Sequence, residues 1–403
     1  AIFLLPFGKL GDIHGRKRVF LAGNVLFTAS TLCCAISPSA GFLIGFRFAQ
    51  GIGAAMIFGT SVAIVTSVTA RAERGKALGI TVAATYLGLS LGPIVGGFLT
   101  HEFGWRSIFF CTAPLGALAG ALAAARLEGD WAEAKGEPFD APGALLYGVS
   151  LASLMYGFAR LPASGAGWLI AAGAAGIGAF AFWETRARAP LIDVRLVRHN
   201  RVFAFSNIAA LVNYSASFAV GFLVSLYLQY VKGLDPREAG AVLVAQPIVM
   251  ASLSPLAGRL SDRVESRIVA SIGMAVTAAA LFFFVFLDAG TPLRSIILNL
   301  MLLGVGFALF SSPNTNAVMS SVEHRFYGVA AATLGTMRMT GQMLSLGIAM
   351  LVFALVLGGA PITPERHERF LESVRLAFIV FSVLSVAAVF ASLARGSVRD
   401  RAE

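Results

Sequence analysis

Apolar stretches of about 20 residues recur along the whole of this 403-residue chain. At ~1.5 Å per helical residue, such a stretch matches the ~30 Å hydrocarbon core of a bilayer. Only 13% of the residues are charged, and the mean hydropathy is +0.79. Soluble proteins carry about twice that charged fraction. Backbone polar groups inside lipid must be satisfied within the spanning segment, which leaves helices or a closed barrel. Barrel strands are short and alternate in polarity, whereas these runs are long and apolar on every face. The expected fold class is an all-α polytopic membrane protein.

The runs predict spans at 19–37, 40–66, 76–100, 106–125, 143–160, 166–184, 202–231, 240–258, 268–288, 294–320, 328–358 and 372–394. Residues 1–7, AIFLLPF, are apolar but too short to cross, and they read as the end of another helix. With no initiator Met and no signal peptide, the chain is expected to be a piece that lacks its upstream part. Placing the basic segment GKLGDIHGRKR (8–18) in the cytoplasm also puts 67–76, 126–142, 185–201, 259–267, 321–327 and 395–403 inside. Those segments hold 21 of the 31 Lys and Arg residues, as the positive-inside rule requires. The expected location is therefore the cytoplasmic membrane, with many passes and the C-terminus inside.

A net charge of +10 could signal nucleic acid, but no soluble basic domain with exposed aromatics accompanies it. The three cysteines, Cys33, Cys34 and Cys111, lie in apolar runs, and the five histidines are scattered. No metal site and no cofactor are expected. Loop 126–142, RLEGDWAEAKGEPFDAP, reads as a solvated linker.

An internal repeat divides the chain. At an offset of 250, Gly8, Leu10, Asp12 and Val19 fall on Gly258, Leu260, Asp262 and Val269; at 253, Gly51, Gly53, Gly75 and Gly88 fall on Gly304, Gly306, Gly328 and Gly341. Two homologous halves are expected. They comprise an N-terminal bundle, 1–125, and a C-terminal six-helix bundle, 202–394. Between them, 126–201 reads as an inserted two-helix hairpin with flanking loops, and 395–403 as a basic tail. Parallel repeats of this kind place a binding site near the midplane between halves.

Three motifs resemble those of the major facilitator superfamily. GKLGDIHGRKR is similar to that family's loop between its second and third helices, where glycines permit close helix approach and acid–base pairs form across the cytoplasmic gate. The resemblance puts Gly8, Asp12, Gly15, Arg16 and Lys17 at that gate, with Asp262 as the twin of Asp12. RFAQGIGAAM (47–56) is similar to the family's arginine motif. Arg47 and Gln50 share one helical face with Gly51 and Ala54. Arg47 is read as facing the interior or a wet cavity, or else as snorkelling to the outer interface. Gly79, Gly88, Gly92, Pro93, Gly96 and Gly97 resemble the antiporter motif of drug:proton exporters. Gly88, Gly92 and Gly96 form a small-residue ridge for close helix packing, and Pro93 favours a kink.

Two central spans between two halves resemble the 14-helix branch of that family. The resemblance implies a major facilitator fold: two pseudo-symmetric helical bundles plus an inserted central pair. It also implies a proton-coupled antiporter that exports hydrophobic or amphipathic small molecules. In that branch helix one carries an Asp tied to proton coupling, and no Asp or Glu stands at a midplane here. The repeat places Arg338 on Thr85, near the middle of its span, with Gln342 one turn later. Arg338 is expected to line the central cavity or the interface between halves, or alternatively to bond backbone carbonyls. Tyr86, Asn213, Tyr214 and Tyr227 are candidate substrate contacts, or else core or interfacial residues.

The expected partners are a small-molecule substrate, protons and the lipid bilayer, with no nucleic acid, and the chain is expected to be a monomer. Export of a defined metabolite, such as an amino acid or fatty acid, and a non-transporting membrane sensor remain as alternatives. No P-loop is present, and no acid/base cluster supports an enzyme.

Overall fold

The computed structural model describes residues 1–358 and 366–396, apart from the side chains of Pro93 and Arg195. Most of the basic tail, 397–403, lies outside the described residues. Twelve of the described helical segments are long and apolar enough to cross a membrane, as the sequence predicts. The first half contains Leu4–His14 (α1), Arg16–Ala35 (α2), Ala40–Val68 (α3), Arg74–Phe103 (α4) and Arg106–Arg126 (α5). The central pair is Ala141–Ala159 (α6) and Ala166–Glu184 (α7). After a short Val194–His199 helix (α8) come Arg201–Ser217 (α9), Val220–Tyr230 (α10), Pro236–Leu243 (α11) and Ala245–Arg263 (α12). Ser266–Phe284 (α13), Leu293–Ser320 (α14), Tyr327–Leu357 (α15) and His367–Ala394 (α16) complete the second half.

The repeat survives as structure. The 3₁₀ turns Arg71–Glu73 and His324–Phe326 stand 253 residues apart, and each leads directly into a long helix, α4 or α15. The two bundles are pseudo-symmetric. Helices α4 and α12 pack together across the halves, as do α1 and α15.

Three local features depart from the sequence reading. Residues 8–14 are helical rather than looped, and the chain turns only at Gly15, whose φ of +106° suits glycine. The seventh span is broken between α9 and α10, and Ser345 Oγ accepts the Ala219 N–H at 2.9 Å. A buried helix break needs such a partner, because lipid offers none. In the eighth span, Asp235 and Glu238 form a capping box that starts α11 well before residue 240.

Candidate functional site

The basic segment is held by hydrogen bonds that leave little of it to solvent. Asp12 is fully buried and accepts from Arg16 Nε at 2.8 Å, from Gly328 N at 2.9 Å and from Val329 N at 3.0 Å. The last two are free amides at the start of α15, where a carboxylate also complements the helix dipole. Arg16, only 1% exposed, uses the rest of its fork on Ser67 Oγ at 2.9 Å and the His324 carbonyl at 2.5 Å. Lys17 meets no carboxylate among the described residues; its Nζ donates to the Ala124 and Leu127 carbonyls at the end of α5. There a cation satisfies orphan acceptors.

The second half repeats this arrangement. Asp262 accepts from Gly75 N at 2.7 Å and Lys76 N at 3.0 Å, at the start of α4. Each half therefore caps a helix of the other. Glycines permit the approach: a Cβ on Gly8 would lie 2.5 Å from the Gly328 carbonyl oxygen, and one on Gly258 would collide with the Gly75 carbonyl. The residues aligned by the repeat, Gly8 with Gly258 and Gly75 with Gly328, are thus the two sides of two equivalent contacts. The copies differ in sequence at one position beside the acid, where Ser266 aligns with Arg16.

Loop 126–142 is not a free linker. Its Ala134 N–H donates to the Asp12 carbonyl at 2.9 Å, Glu137 pairs with Lys9 at 2.6 Å, and Asp130 pairs with Arg18 at 2.5 Å. Spacing could not reveal this, because it joins groups more than 100 residues apart. The Arg18–Asp130 pair is the exposed one, and such a pair contributes about 0–1 kcal/mol, whereas Lys9 is buried and would be left uncompensated without Glu137. Replacing Asp130 with Asn should lower initial transport rates by less than about fivefold, measured in inverted vesicles. A complete loss would show that the loop governs the junction.

A cavity of about 410 Å³ lies between the halves, within the range of small-molecule sites. Its wall draws on α1, α3, α4, α9, α14 and α15, and includes Phe58, Thr85, Phe310, Asn314, Arg338 and Gln342. Arg338 is about 16 Å along α15 from its start. Its guanidinium carbon stands 5.1 Å from the Tyr214 ring centre and 6.0 Å from that of Tyr86. An arginine at that depth costs about 2.5–3.5 kcal/mol on insertion scales. A ring contact offsets about 0.5–2 kcal/mol, and Tyr86 stands at the limit of range. No carboxylate among the described residues pairs with Arg338.

The other candidates fall elsewhere. Tyr214 lines the cavity, while Tyr86 stands outside its wall, buried, with its ring facing Arg338. Asn213 is fully buried, away from the cavity wall, with both polar side-chain atoms unpartnered. Tyr227 sits in the second half's core and donates to the Asp288 carbonyl at 2.6 Å. Arg47 is exposed and donates to Gln50 at 2.6 Å; Gln50 in turn donates to Thr31.

Of the glycine motif, Gly79 packs on the Ser254–Pro255 backbone. A Cβ added to Gly88, Gly92 or Gly97 would meet no described atom outside its own stretch of helix within 4 Å, and one on Gly96 would meet only Ile108. The ridge predicted for close packing therefore has no partner helix among the described residues. Pro93 lies in α4, but its side chain falls outside the described residues. The sequence reading passed over Ser311, Asn314 and Thr315, although SSPNTN (311–316) is a polar run inside an apolar span and was the available signal.

The sequence model of one family, described as the Major Facilitator Superfamily, matches residues 1–346 and again 206–402. The riboflavin transporter RibZ of Clostridioides difficile is 32% identical over 340 residues, 83% of this chain and 73% of that protein. The multidrug resistance protein Stp of Mycobacterium tuberculosis is 30% identical over 359 residues, 87% of this chain and 66% of that protein. The chain thus spans about two thirds to three quarters of these relatives. Among solved structures, the human organic anion transporter MFSD10 superposes with a TM-score of 0.69, covering 97% of this chain and 80% of that one. At 18% identity that likeness shows the fold alone.

Proposed function

The chain belongs to the Major Facilitator Superfamily, and on that premise we propose that it is a proton-coupled antiporter exporting hydrophobic or amphipathic small molecules. The carrying observation is the pair of equivalent contacts that joins the halves at one end of a cavity between them. Contacts of this kind close one face of a two-state transporter, and rocking of the halves about the cavity opens the other. In this reading the basic end is the cytoplasmic gate and the membrane is the cytoplasmic one. Asp12, Arg16 and Asp262 hold the gate, and Arg338 and Gln342 line the path. The domain bounds set by the repeat are the moving parts, and one chain suffices as the working unit.

Likeness to the multidrug resistance protein supports the substrate range. Likeness to the riboflavin transporter favours a second reading, transport of one defined metabolite. The cavity wall carries no carboxylate among the described residues, so no acid described here is assigned the proton.

Expressed in an efflux-deficient host, the gene should lower accumulation of a fluorescent amphipathic dye, and a protonophore should restore it. Unaltered accumulation after collapse of the proton gradient would end the antiporter reading.

A further inference from the structure

We propose that the cavity selects amphipathic organic anions, with a compact apolar body and one carboxylate or sulfonate seated on Arg338. This rests on the reading of the cavity as the substrate path.

Charge is the first ground. Arg338 is the one ionisable charged residue among the described residues of the wall, and the rest is apolar or neutral: Phe58, Leu78, Phe310, Thr85, Asn314 and Gln342 among others. A cation entering would face that guanidinium with no carboxylate to balance it, in surroundings of low dielectric. A neutral body gains the apolar wall but leaves the charge unmatched. An anion uses both.

The second ground is unspent donor capacity. Arg16 bonds Asp12, Ser67 and the His324 carbonyl. Arg395, equally buried, bonds Ser206, Asn314 and the Ser266 carbonyl. Arg338 makes no protein hydrogen bond among the described residues; its recorded partners are the two tyrosine rings. No acceptor among the described residues takes its N–H groups, and a guanidinium matches a carboxylate in a two-point fork.

The test uses three probes of one skeleton: 1-naphthaleneacetate, its neutral amide 1-naphthaleneacetamide, and the cationic 1-naphthalenemethylamine. Affinities for the purified chain in lipid nanodiscs are read by isothermal titration. The anion should bind at least about tenfold more tightly than the other two. Arg338→Gln should erase that margin while leaving amide affinity within about twofold. Should Arg338→Gln lose the amide as well, Arg338→Lys decides: a retained anion preference supports the proposal, and a lost one overturns it. Equal binding of amine or amide, or an anion preference that survives Arg338→Gln, overturns the proposal and leaves the cavity a binding site. Binding of none of the three overturns both the proposal and the reading of the cavity as the path.

Discussion

Asp12→Asn should slow transport far more than Asp262→Asn. Asp12 is fully buried against Arg16, itself 1% exposed. Breaking a buried pair by neutralising one partner costs about 3–5 kcal/mol, because the remaining charge stays desolvated and uncompensated. Asparagine would also direct an NH₂ group at a guanidinium or at the α15 amides that Asp12 now serves. Against a two-state equilibrium, that cost shifts the closed-to-open ratio by about two to four powers of ten. Asp262 is half-buried, so neutralising it leaves its surroundings open to water. Loss of its two amide bonds resembles loss of a helix cap, about 0.5–2 kcal/mol. Initial export rates at matched membrane abundance measure the difference, and equal losses would refute the asymmetry.

The second large effect is steric. A side chain on Gly328 meets the Gly8 carbonyl and the Asp12 carboxylate, and one on Gly75 meets the Gly258 carbonyl and Asp262. Backbone cannot swing aside as a flexible side chain does, so the cost exceeds the ~1–3 kcal/mol of ordinary overpacking. Gly328→Val and Gly75→Val should each reduce transport at least about tenfold, while the protein still reaches the membrane. Gly240→Ala, whose added Cβ would meet no described atom beyond its own helix within 4 Å, serves as the control and should transport as the parent does. If Gly75→Val behaves like the parent while Gly328→Val fails, the two contacts are not equivalent and the symmetric account of the junction falls.

The candidate site was legible in part, and the pattern is physical. Asp12, Asp262 and their glycines stood out because the repeat aligned them, and the same alignment appears as two matching contacts. Arg338 and Gln342 stood out because charge and polarity are costly inside an apolar span. Tyr227 and Asn213 carried the same polar signature, yet one is tied to a loop carbonyl and the other lies away from the cavity wall. Residue type gives a reason to look at a position, but the direction a side chain faces depends on neighbours distant in sequence. The glycine ridge of α4 makes the point most clearly: small residues permit an approach without naming what approaches.

Local chemistry determined the rest. Apolar length against bilayer thickness set twelve spans, backbone satisfaction made them helices, and an internal repeat announced two halves. Each of these depends on residues close in sequence or on a regular offset. Only the tertiary structure decided that the basic segment is a helix packed backbone to backbone on α15 rather than a loop. It also decided that the central linker covers that segment, and that Arg338 stands in the cavity with its N–H edge unspent. Those outcomes join residues up to some 300 positions apart, and packing selects them by shape and charge once the helices are formed.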